Sequence, residues 1–170
     1  MNPEKIEVFQ MANISVKRVA LTGIAGGLLA GAVKIGWESL FPPRTPQREE
    51  EPPPLTFLKK VNVGDKVLEY RVVYNRNPIP VAVMGVHFGF SMANALVYAL
   101  MAERCTTVTK GYGSVFGIAV HVAFHDVLLP LLKITPKRKD LPPQELVSEF
   151  FGHIVWAKTI ELVRRAIKTK

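Results

Sequence analysis

Apolar residues are concentrated in four stretches of the chain, and polar residues fill the segments between them. The clearest stretch is residues 79–101, which lies in a run of 26 residues between Arg76 and Glu103 without any Asp, Glu, Lys or Arg. A helix crosses the hydrocarbon core of a bilayer with about 20 apolar residues. This stretch therefore predicts a transmembrane helix, with Pro78 and Pro80 in its first turn, where a missing N–H costs nothing.

Three other stretches are long enough for the same role: residues 19–41, 111–132 and 146–163. The last of them is the least apolar, and its composition also suits an amphipathic helix lying in the membrane interface. Together the four stretches predict an all-α, polytopic membrane protein with four transmembrane helices in a small bundle. A soluble four-helix bundle is the alternative, but it would have to bury the uncharged helix on every side.

The composition is consistent with one membrane domain covering residues 1–170. Hydrophobic residues make up 48% of the chain, yet the mean hydropathy is only +0.17, because residues 42–78 and both ends are polar. The net charge of +8 comes from basic residues scattered near the ends of the apolar stretches, which indicates the lipid bilayer rather than nucleic acid as partner. These residues are divided almost evenly between the two sides, so they predict no orientation. Cys105 is the only cysteine, which excludes an intramolecular disulfide.

The segment 42–78 is predicted to be a polar loop at the membrane interface. Its first part, residues 42–54, is rich in proline and is expected to be extended. Its second part, residues 55–76, combines aromatic and basic residues in short amphipathic pieces, which is typical of a segment lying at the interface.

The first apolar stretch carries a ladder of small residues, Gly23, Gly27 and Gly31, spaced four apart. Lys34 and Glu38 fall on the same helical face and are themselves spaced i, i+4. Small residues allow helix backbones to approach closely, so this face should pack on protein and shelter the charges. A structural ion pair and a role in handling protons both remain open.

The second apolar stretch has two distinct faces. Its polar stripe consists of His87, Ser91, Asn94 and Tyr98, and its ladder of small residues consists of Gly85, Gly89 and Ala93. Two packing faces indicate a helix in the middle of a bundle or at a dimer interface. A homodimer is therefore predicted through either the Gly23/Gly27/Gly31 face or the Gly85/Gly89 face.

The last two stretches bring histidine together with carboxylates. His121 and His125 are spaced i, i+4, as two ligands of one metal ion would be, and Asp126 could be a third ligand. Hydrogen bonding of these histidines and a response to protonation are the alternatives. In the fourth stretch Glu149 and His153 are spaced i, i+4.

Sequence signatures of catalysis are missing. There is no His-Glu-x-x-His zinc motif, no phosphate-binding glycine loop and no recognisable nucleophile signature. The pair in the fourth stretch is Glu-x-x-x-His, which differs from the Glu-x-x-His of di-iron bundles. We therefore expect neither an enzyme nor a cofactor.

Two segments, "GLLAGAVKIGWESLFPPRTP" at 27–46 and "SEFFGHIVWAKTIELVRR" at 148–165, resemble the YagU-like family of bacterial inner-membrane proteins. The first places Lys34, Glu38, Pro42, Pro43 and Arg44 on a family pattern, and the second places Ser148, Glu149, Gly152, His153 and Trp156 on another. His87 and His125 also match family positions, whereas His121 and Asp126 do not, which weakens the metal site. The loop at 47–76 departs from the family in being shorter and lacking cysteines.

The resemblance implies the bacterial cytoplasmic (inner) membrane and a link to acid tolerance, without an established biochemical activity. We therefore expect a non-enzymatic membrane protein whose interior responds to protons, by proton or ion passage or by a pH-driven change of helix packing. The residues proposed for this interior are Lys34, Glu38, His87, His125, Glu149 and His153. His153 and His87 are the preferred members, and His121 is expected only to pack on the glycine ladder of its own helix.

Two alternatives remain. In one, the buried polar residues are interhelical glue in a structural scaffold or partner-binding protein. In the other, inward-facing side chains bind a metal. Nitrogens and a carboxylate converging from different helices would favour chemistry, and side chains bound to separate neighbours would favour glue.

Overall fold

A computed structural model describes residues 15–45, 48 and 51–168. The first helix, α1 (Val16–Leu40), begins after Ser15, whose hydroxyl accepts a hydrogen bond from the backbone N–H of Arg18 at 3.3 Å. Residues Thr22–Gly26 form a π-helical turn within it. The helix ends just before Pro42 and Pro43, which cannot continue it.

The loop that follows α1 holds two short helices and a hairpin. The helices are α2 (Pro53–Lys60) and α3 (Asp65–Leu68), and the antiparallel strands are β1 (Arg71–Tyr74) and β2 (Asn77–Pro80). Asn75 and Arg76 join the strands with positive φ at both positions, which is the backbone of a tight hairpin turn.

The hairpin corrects the expectation of a purely helical fold. Pro78 and Pro80 lie in β2 rather than in the first turn of the next helix. Both are compatible with this strand because it is an edge strand, where a missing N–H breaks no ladder on its open side. The part of the loop expected to be extended ends at Pro52, since α2 begins at Pro53, and residues 46, 47, 49 and 50 lie outside the described chain.

Three longer helices follow. They are α4 (Val81–Ala102), α5 (Ser114–Leu131) and α6 (Pro143–Lys168). Residues Val122–Leu128 of α5 are π-helical. Short 3₁₀ turns at Thr106–Thr109 and Arg138–Asp140 lie in the two connections.

Within the described residues, three helices are long and apolar enough to cross a membrane: α1, α4 and α5. Each carries large exposed apolar side chains along its outer face, such as Leu28, Val97 and Ile118. The prediction of four spans is confirmed only to this extent. The remaining helix, α6, has 26 residues and sufficient length, but it has too many polar residues to qualify on composition.

Long helices that follow one another along the chain pack antiparallel, and small residues lie where they cross most closely. A Cβ atom at Gly27 of α1 would lie 2.5 Å from the Cα atom of Met92 on α4, and one at Gly117 of α5 would lie 2.6 Å from the carbonyl oxygen of His153 on α6. The first glycine ladder is therefore covered inside the chain. Gly85 and Gly89 face open space, so only their face remains for the predicted homodimer.

The bundle has two different ends, which we name by their content. The hairpin end carries residues 41–45, 48, 51–80 and the 132–142 connection. The Cys105 end carries the start of α1 and the connection between α4 and α5. The apolar core lies between the two ends, and its buried side chains include Tyr98, Phe116, Trp156, Ala157 and Ile160.

Candidate functional site

Four polar side chains lie at the same level of the bundle. Each is six residues from the hairpin end of its helix: Lys34 from Leu40, His87 from Val81, His125 from Leu131, and Glu149 from Pro143. Six residues of α-helix span about 9 Å, so each of the four lies about 9 Å along its helix from the hairpin end. Equal distances from the hairpin end therefore place these four residues at one level, although they are far apart in the sequence.

Glu149 is the centre of this level. Its Oε2 accepts a hydrogen bond from Nζ of Lys34 at 3.1 Å, so α1 and α6 are joined by a salt bridge. Nε2 of His125 and Nδ1 of His153 approach the same oxygen to 3.8 and 3.7 Å. Lys34 also pairs with Glu38 one turn further along α1.

Three imidazole rings surround the carboxylate. His121 and His125 stack with centroids 5.4 Å apart, and His153 packs edge-on against them at 5.2 and 4.8 Å. His121 is almost fully buried, and its Nδ1 has no hydrogen-bond partner among the described residues. The expectation that His121 only packs on its own glycine ladder missed this contact, because spacing along one helix does not reveal the facing helix.

His153 has a defined tautomer in its neutral form. Its Nδ1 lies 2.8 Å from the backbone carbonyl oxygen of Glu149. A carbonyl oxygen can only accept, so Nδ1 carries the proton and Nε2 is the nitrogen left to take up a second one. The ring is thus oriented by the turn of helix that also carries Glu149.

His87 shares the level but not the cluster. Its Nε2 donates to the carbonyl oxygen of Gly31 at 3.0 Å. One turn further, the hydroxyl of Ser91 donates to the carbonyl oxygen of Gly27 at 2.6 Å and accepts from Nε1 of Trp156 at 2.8 Å. This part of the polar stripe on α4 therefore holds helices together.

The other two members of that stripe have different partners. The amide of Asn94 donates to the carbonyl oxygen of Phe90 in its own helix at 3.0 Å. The hydroxyl of Tyr98 donates to Oε2 of Glu161 on α6 at 2.7 Å. Neither contributes to the level of Glu149.

The metal-ligand set expected from the sequence is not the set that converges. Asp126 accepts a hydrogen bond from Arg138 at 2.7 Å. The donors that do meet are Glu149, His125 and His153, whose ligand atoms all lie within 4.8 Å of one another. Two helices, α5 and α6, supply them.

A small cavity connects the cluster with the hairpin end. It has a volume of about 40 Å³, which is room for a few water-sized molecules. His121, His125 and Glu149 form its inner wall. Its outer wall is formed by loop and helix-end residues that include Pro43, Arg44, Arg48, Asp126 and Glu145.

Glu145 is the main anchor of this outer wall. Its side chain accepts hydrogen bonds from the backbone N–H and the hydroxyl of Thr45 at 2.7 and 3.0 Å, and it forms an ion pair with Arg48. Burial raises the pKa of this carboxyl group, but the bonds from Arg48 and Thr45 outweigh burial and hold the pKa below its ordinary value. Glu145 therefore stays ionised and keeps the segment after α1 on the bundle.

Residues of the two family patterns lie beside the cluster and along the cavity that leads to it. Pro42, Pro43 and Arg44 follow α1, and Pro43 and Arg44 line the cavity. A Cβ atom at Gly152 would lie 3.1 Å from the ring of Trp37 and 3.5 Å from Nζ of Lys34, so a larger residue would press on the salt bridge.

A second polar cluster lies at the Cys105 end. Glu161, fully buried, accepts hydrogen bonds from Tyr98, from Arg164 at 2.6 and 3.0 Å, and from Arg165 at 2.7 Å. Arg18 of α1 pairs with Glu103 at the end of α4. The spacing of Arg164 and Arg165 from Glu161, three and four residues, is the signal in the sequence from which these ion pairs could have been predicted.

Comparison with known proteins places the chain in a family. The family model described as "Protein of unknown function (DUF1440)" matches residues 28–162, which include both sequence patterns, Lys34 to Arg44 and Ser148 to Trp156. "Inner membrane protein YagU" of Escherichia coli (strain K12) is 29% identical over 175 residues, covering 89% of this chain and 84% of that protein. No solved structure matches.

Three helices able to cross a membrane and a relative in the inner membrane agree on the location of this chain. It is an integral protein of the bacterial inner membrane, as the sequence predicts. It belongs to the DUF1440 family, and the resemblance to YagU-like proteins is confirmed.

Proposed function

We propose that this chain is a non-enzymatic membrane protein that binds a proton in the hairpin-end cluster and changes its helix packing in response. We define the hairpin-end cluster as Lys34, Glu38, His121, His125, Glu149 and His153. The observation that carries the proposal is the approach of His125 and His153 to one oxygen of Glu149 beneath a cavity that reaches the hairpin end. A role in acid tolerance would follow from such a response.

The charges of the cluster favour uptake of one proton. The ammonium of Lys34 faces two carboxylates, Glu38 and Glu149, which leaves one negative charge in excess when the imidazoles are neutral. Around the cavity, Asp126 is paired with Arg138 and Glu145 with Arg48, while Arg44 adds a positive charge on the outer wall. An unbalanced charge at membrane depth is costly, and a protonated imidazole would balance it.

The attraction is large enough to matter. A positive imidazole 3.8 Å from a carboxylate oxygen gains roughly 4 kcal/mol at an effective dielectric constant of about 20. Both rings keep most of their surface away from solvent, which limits screening. Burial and the nearby ammonium of Lys34 oppose protonation, and a titration of the cluster measures the balance of these effects.

Protonation would act on helix packing through Lys34. A new positive charge on His125 or His153 would compete with Lys34 for the same oxygen of Glu149. Lys34 retains Glu38 on its own helix, so the salt bridge between α1 and α6 is the contact that would weaken. The response proposed is therefore a shift of α1 against α6.

The same proposal requires α6 to cross the membrane as the fourth span. Several of its polar side chains face inward, and Ser148, His153 and Glu161 are buried. Large apolar side chains are exposed along its middle, including Val147, Phe151 and Leu162, and the exposed polar ones include Gln144, Lys158 and Arg165. An inverted distribution of this kind lowers the hydropathy of a helix without making its outer surface polar. Lys158 is exposed, and its long side chain can reach towards the interface.

Metal binding is the second candidate, since His125, Glu149 and His153 form a three-donor set. Lys34 weighs against it, because its ammonium is 3.1 Å from the same carboxylate oxygen that a cation would bind. A divalent ion there would be repelled by this charge and would have to displace it. Elemental analysis of untagged protein would support this candidate if it found one metal ion per chain.

Trp156 allows a direct test of proton binding. Its ring centroid lies 6.1 Å from that of His153, and protonated imidazole quenches indole fluorescence on contact. The chain has two tryptophans, so Trp37→Phe leaves Trp156 alone. In nanodiscs, where both faces are accessible, the fluorescence of this variant should fall as the pH is lowered from about 7 to 5.

Three further substitutions test which residues cause that transition. Adding His153→Ala or Glu149→Gln to Trp37→Phe should remove the transition or move it to lower pH. Adding His87→Asn should leave the midpoint where it was, because His87 binds a backbone carbonyl and not the cluster. A midpoint that no cluster substitution moves would refute the proposed function.

A further inference from the structure

The two polar clusters lie on the same helix with an apolar layer between them. Glu149 and Glu161 are twelve residues apart on α6, about 18 Å along its axis. Between them Trp156, Phe116 and Tyr98 form a continuous aromatic row, with centroid distances of 6.1 and 5.0 Å. Ala157 and Ile160, both fully buried, fill the space beside the row.

The hydrogen bonds of Trp156, which packs against His153 in this layer, lead to the backbone of α1. The indole of Trp156 donates to Ser91, and Ser91 donates to the carbonyl oxygen of Gly27. That oxygen has no proton to pass on. These bonds therefore end on α1 and do not join His153 to Tyr98.

Helices α5 and α6 also pack closely in this direction. A Cβ atom at Gly117 would lie 2.6 Å from the carbonyl oxygen of His153, and one at Gly113 would lie 2.9 Å from that of Ala157. Backbone against backbone is the closest packing that two helices can make. A column of water between α5 and α6 is excluded over this stretch.

The Cys105 end is closed by its own ion pairs. Both carboxylate oxygens of Glu161 are bound, one by Tyr98 and Arg164 and the other by Arg164 and Arg165. Arg18 and Glu103 pair next to it across α1 and α4. By contrast, the hairpin end has the cavity, with His121, His125 and Glu149 on its wall.

We infer that the hairpin-end cluster exchanges protons only with the compartment on the hairpin side, so that the protein senses the pH of one face of the membrane and does not conduct protons across it. This inference rests on the proposed function. It decides between passage of protons and sensing of pH, the two alternatives that the sequence leaves open. Lys34 and Glu38 from α1 surround the histidines and Glu149 within the cluster. The other titratable or charged groups around it are His87 from α4, Asp126 from α5, and Arg44, Arg48 and Glu145 at the cavity.

Cys105 makes the sidedness measurable. It is the single cysteine of the chain, it is exposed, and it lies at the end opposite the cavity. Hydrogen bonds from the backbone of Thr107 and Val108 lower the pKa of its thiol, which favours reaction with a maleimide. A membrane-impermeant maleimide added to sealed liposomes therefore counts the molecules whose Cys105 end faces outward.

The experiment uses Trp37→Phe in sealed proteoliposomes of mixed orientation. The outer pH is stepped from 7.5 to 5.5, the fast change of Trp156 fluorescence is recorded, and nigericin is then added to equalise the pH. The fast change should equal the fraction of molecules that the maleimide does not label, and the remainder should appear only after nigericin. The wild-type chain, with both tryptophans, provides the same measurement if the variant does not fold.

The outcomes separate the two claims. A fast change that equals the labelled fraction, or that involves all molecules at once, overturns the one-sided access and leaves the proposed function standing. Acidification of the liposome interior that is faster than with His153→Ala overturns it as well. No change even after nigericin overturns the proposed function itself. Phe116→Ala, which opens the aromatic row, should add a response from the Cys105 side.

Discussion

Lys34 and Glu149 form a salt bridge, Nζ to Oε2 at 3.1 Å, although 115 residues separate them in the chain. The bridge joins α1 to α6 about 9 Å inside the bundle, at the level where three imidazoles meet. Because His125 and His153 approach the same carboxylate oxygen, protonation of either ring would be felt by α1 through this bridge. The account of function depends on this shared oxygen.

Removing the charge of Glu149 should reduce stability. Glu149→Gln leaves Lys34 with Glu38 alone, and breaking a buried pair from one side costs about 3–5 kcal/mol when nothing replaces it. Because Glu38 remains, we expect a smaller loss, about 1–3 kcal/mol, seen as a lower thermal midpoint in detergent. Glu38→Gln is the matched control: its carboxylate is more exposed, and the loss should be smaller. Equal losses for the two variants would contradict the central position of Glu149.

His87 and His153 should separate stability from pH response. His87→Ala removes the hydrogen bond to Gly31 and should lower the thermal midpoint by an amount typical of one buried bond, about 1 kcal/mol. The pH response of Trp156 should persist in this variant. His153→Ala should abolish the response, whatever its effect on stability. Loss of the response in both variants would assign His87 to the cluster after all.

The glycine faces should differ in their tolerance of a methyl group. Gly27→Ala and Gly117→Ala place a Cβ atom within 2.5 and 2.6 Å of backbone atoms on the facing helix, so overpacking of about 1–3 kcal/mol or more is expected. Gly85→Ala and Gly89→Ala meet open space and should leave the monomer as stable as before. If the predicted homodimer forms through this second face, Gly89→Leu should shift the protein towards monomer in light scattering of the detergent complex, and an unchanged dimer would exclude that face.

Protonation of Glu145 should lower the stability of the protein at acid pH, independently of the histidines. Its folded-state pKa lies below the ordinary value of 4.5, so its contribution is complete above that value and is lost as the pH falls through the folded pKa. We expect the thermal midpoint to fall below about pH 4.5 in the wild type. In Glu145→Gln the midpoint should be lower at pH 7 and should change less on acidification. Glu51→Gln, which removes an exposed ion pair, should behave as the wild type.

The apolar pattern predicted α1, α4 and α5 to within a few residues, because the bilayer sets the length of an apolar helix. It missed the hairpin for local reasons. Both strands have only four residues, the turn of Asn75 and Arg76 lacks glycine, and β2 runs directly into α4. The uncharged run that marks the helix therefore also covers the second strand. For α6 the apolar pattern left a transmembrane and an interfacial helix open, because the polar side chains on its inward face lower its mean hydropathy.

The site was partly predictable for a similar reason. Spacing of three, four and seven residues indicated which side chains share a helical face, and so it paired Glu149 with His153. It could not show which faces meet. Hence His87 was grouped with the cluster although it binds Gly31, and His121 was left out although it stacks on His125. Contacts between helices depend on the crossings of the bundle, which one-dimensional periodicity does not contain.

Histidine side-chain NMR tests the central claim most directly. The four imidazoles of protein labelled with ¹⁵N-histidine can be assigned with single His→Asn variants and titrated in nanodiscs from about pH 7.5 to 4.5. We predict that His153 or His125 becomes protonated between about pH 5 and 7, that Glu149→Gln moves this transition to lower pH, and that the His87 signals are unaffected by that substitution. If neither His125 nor His153 takes up a proton in this range, or if Glu149→Gln leaves both transitions in place, the cluster is not a proton-binding site and the account is wrong.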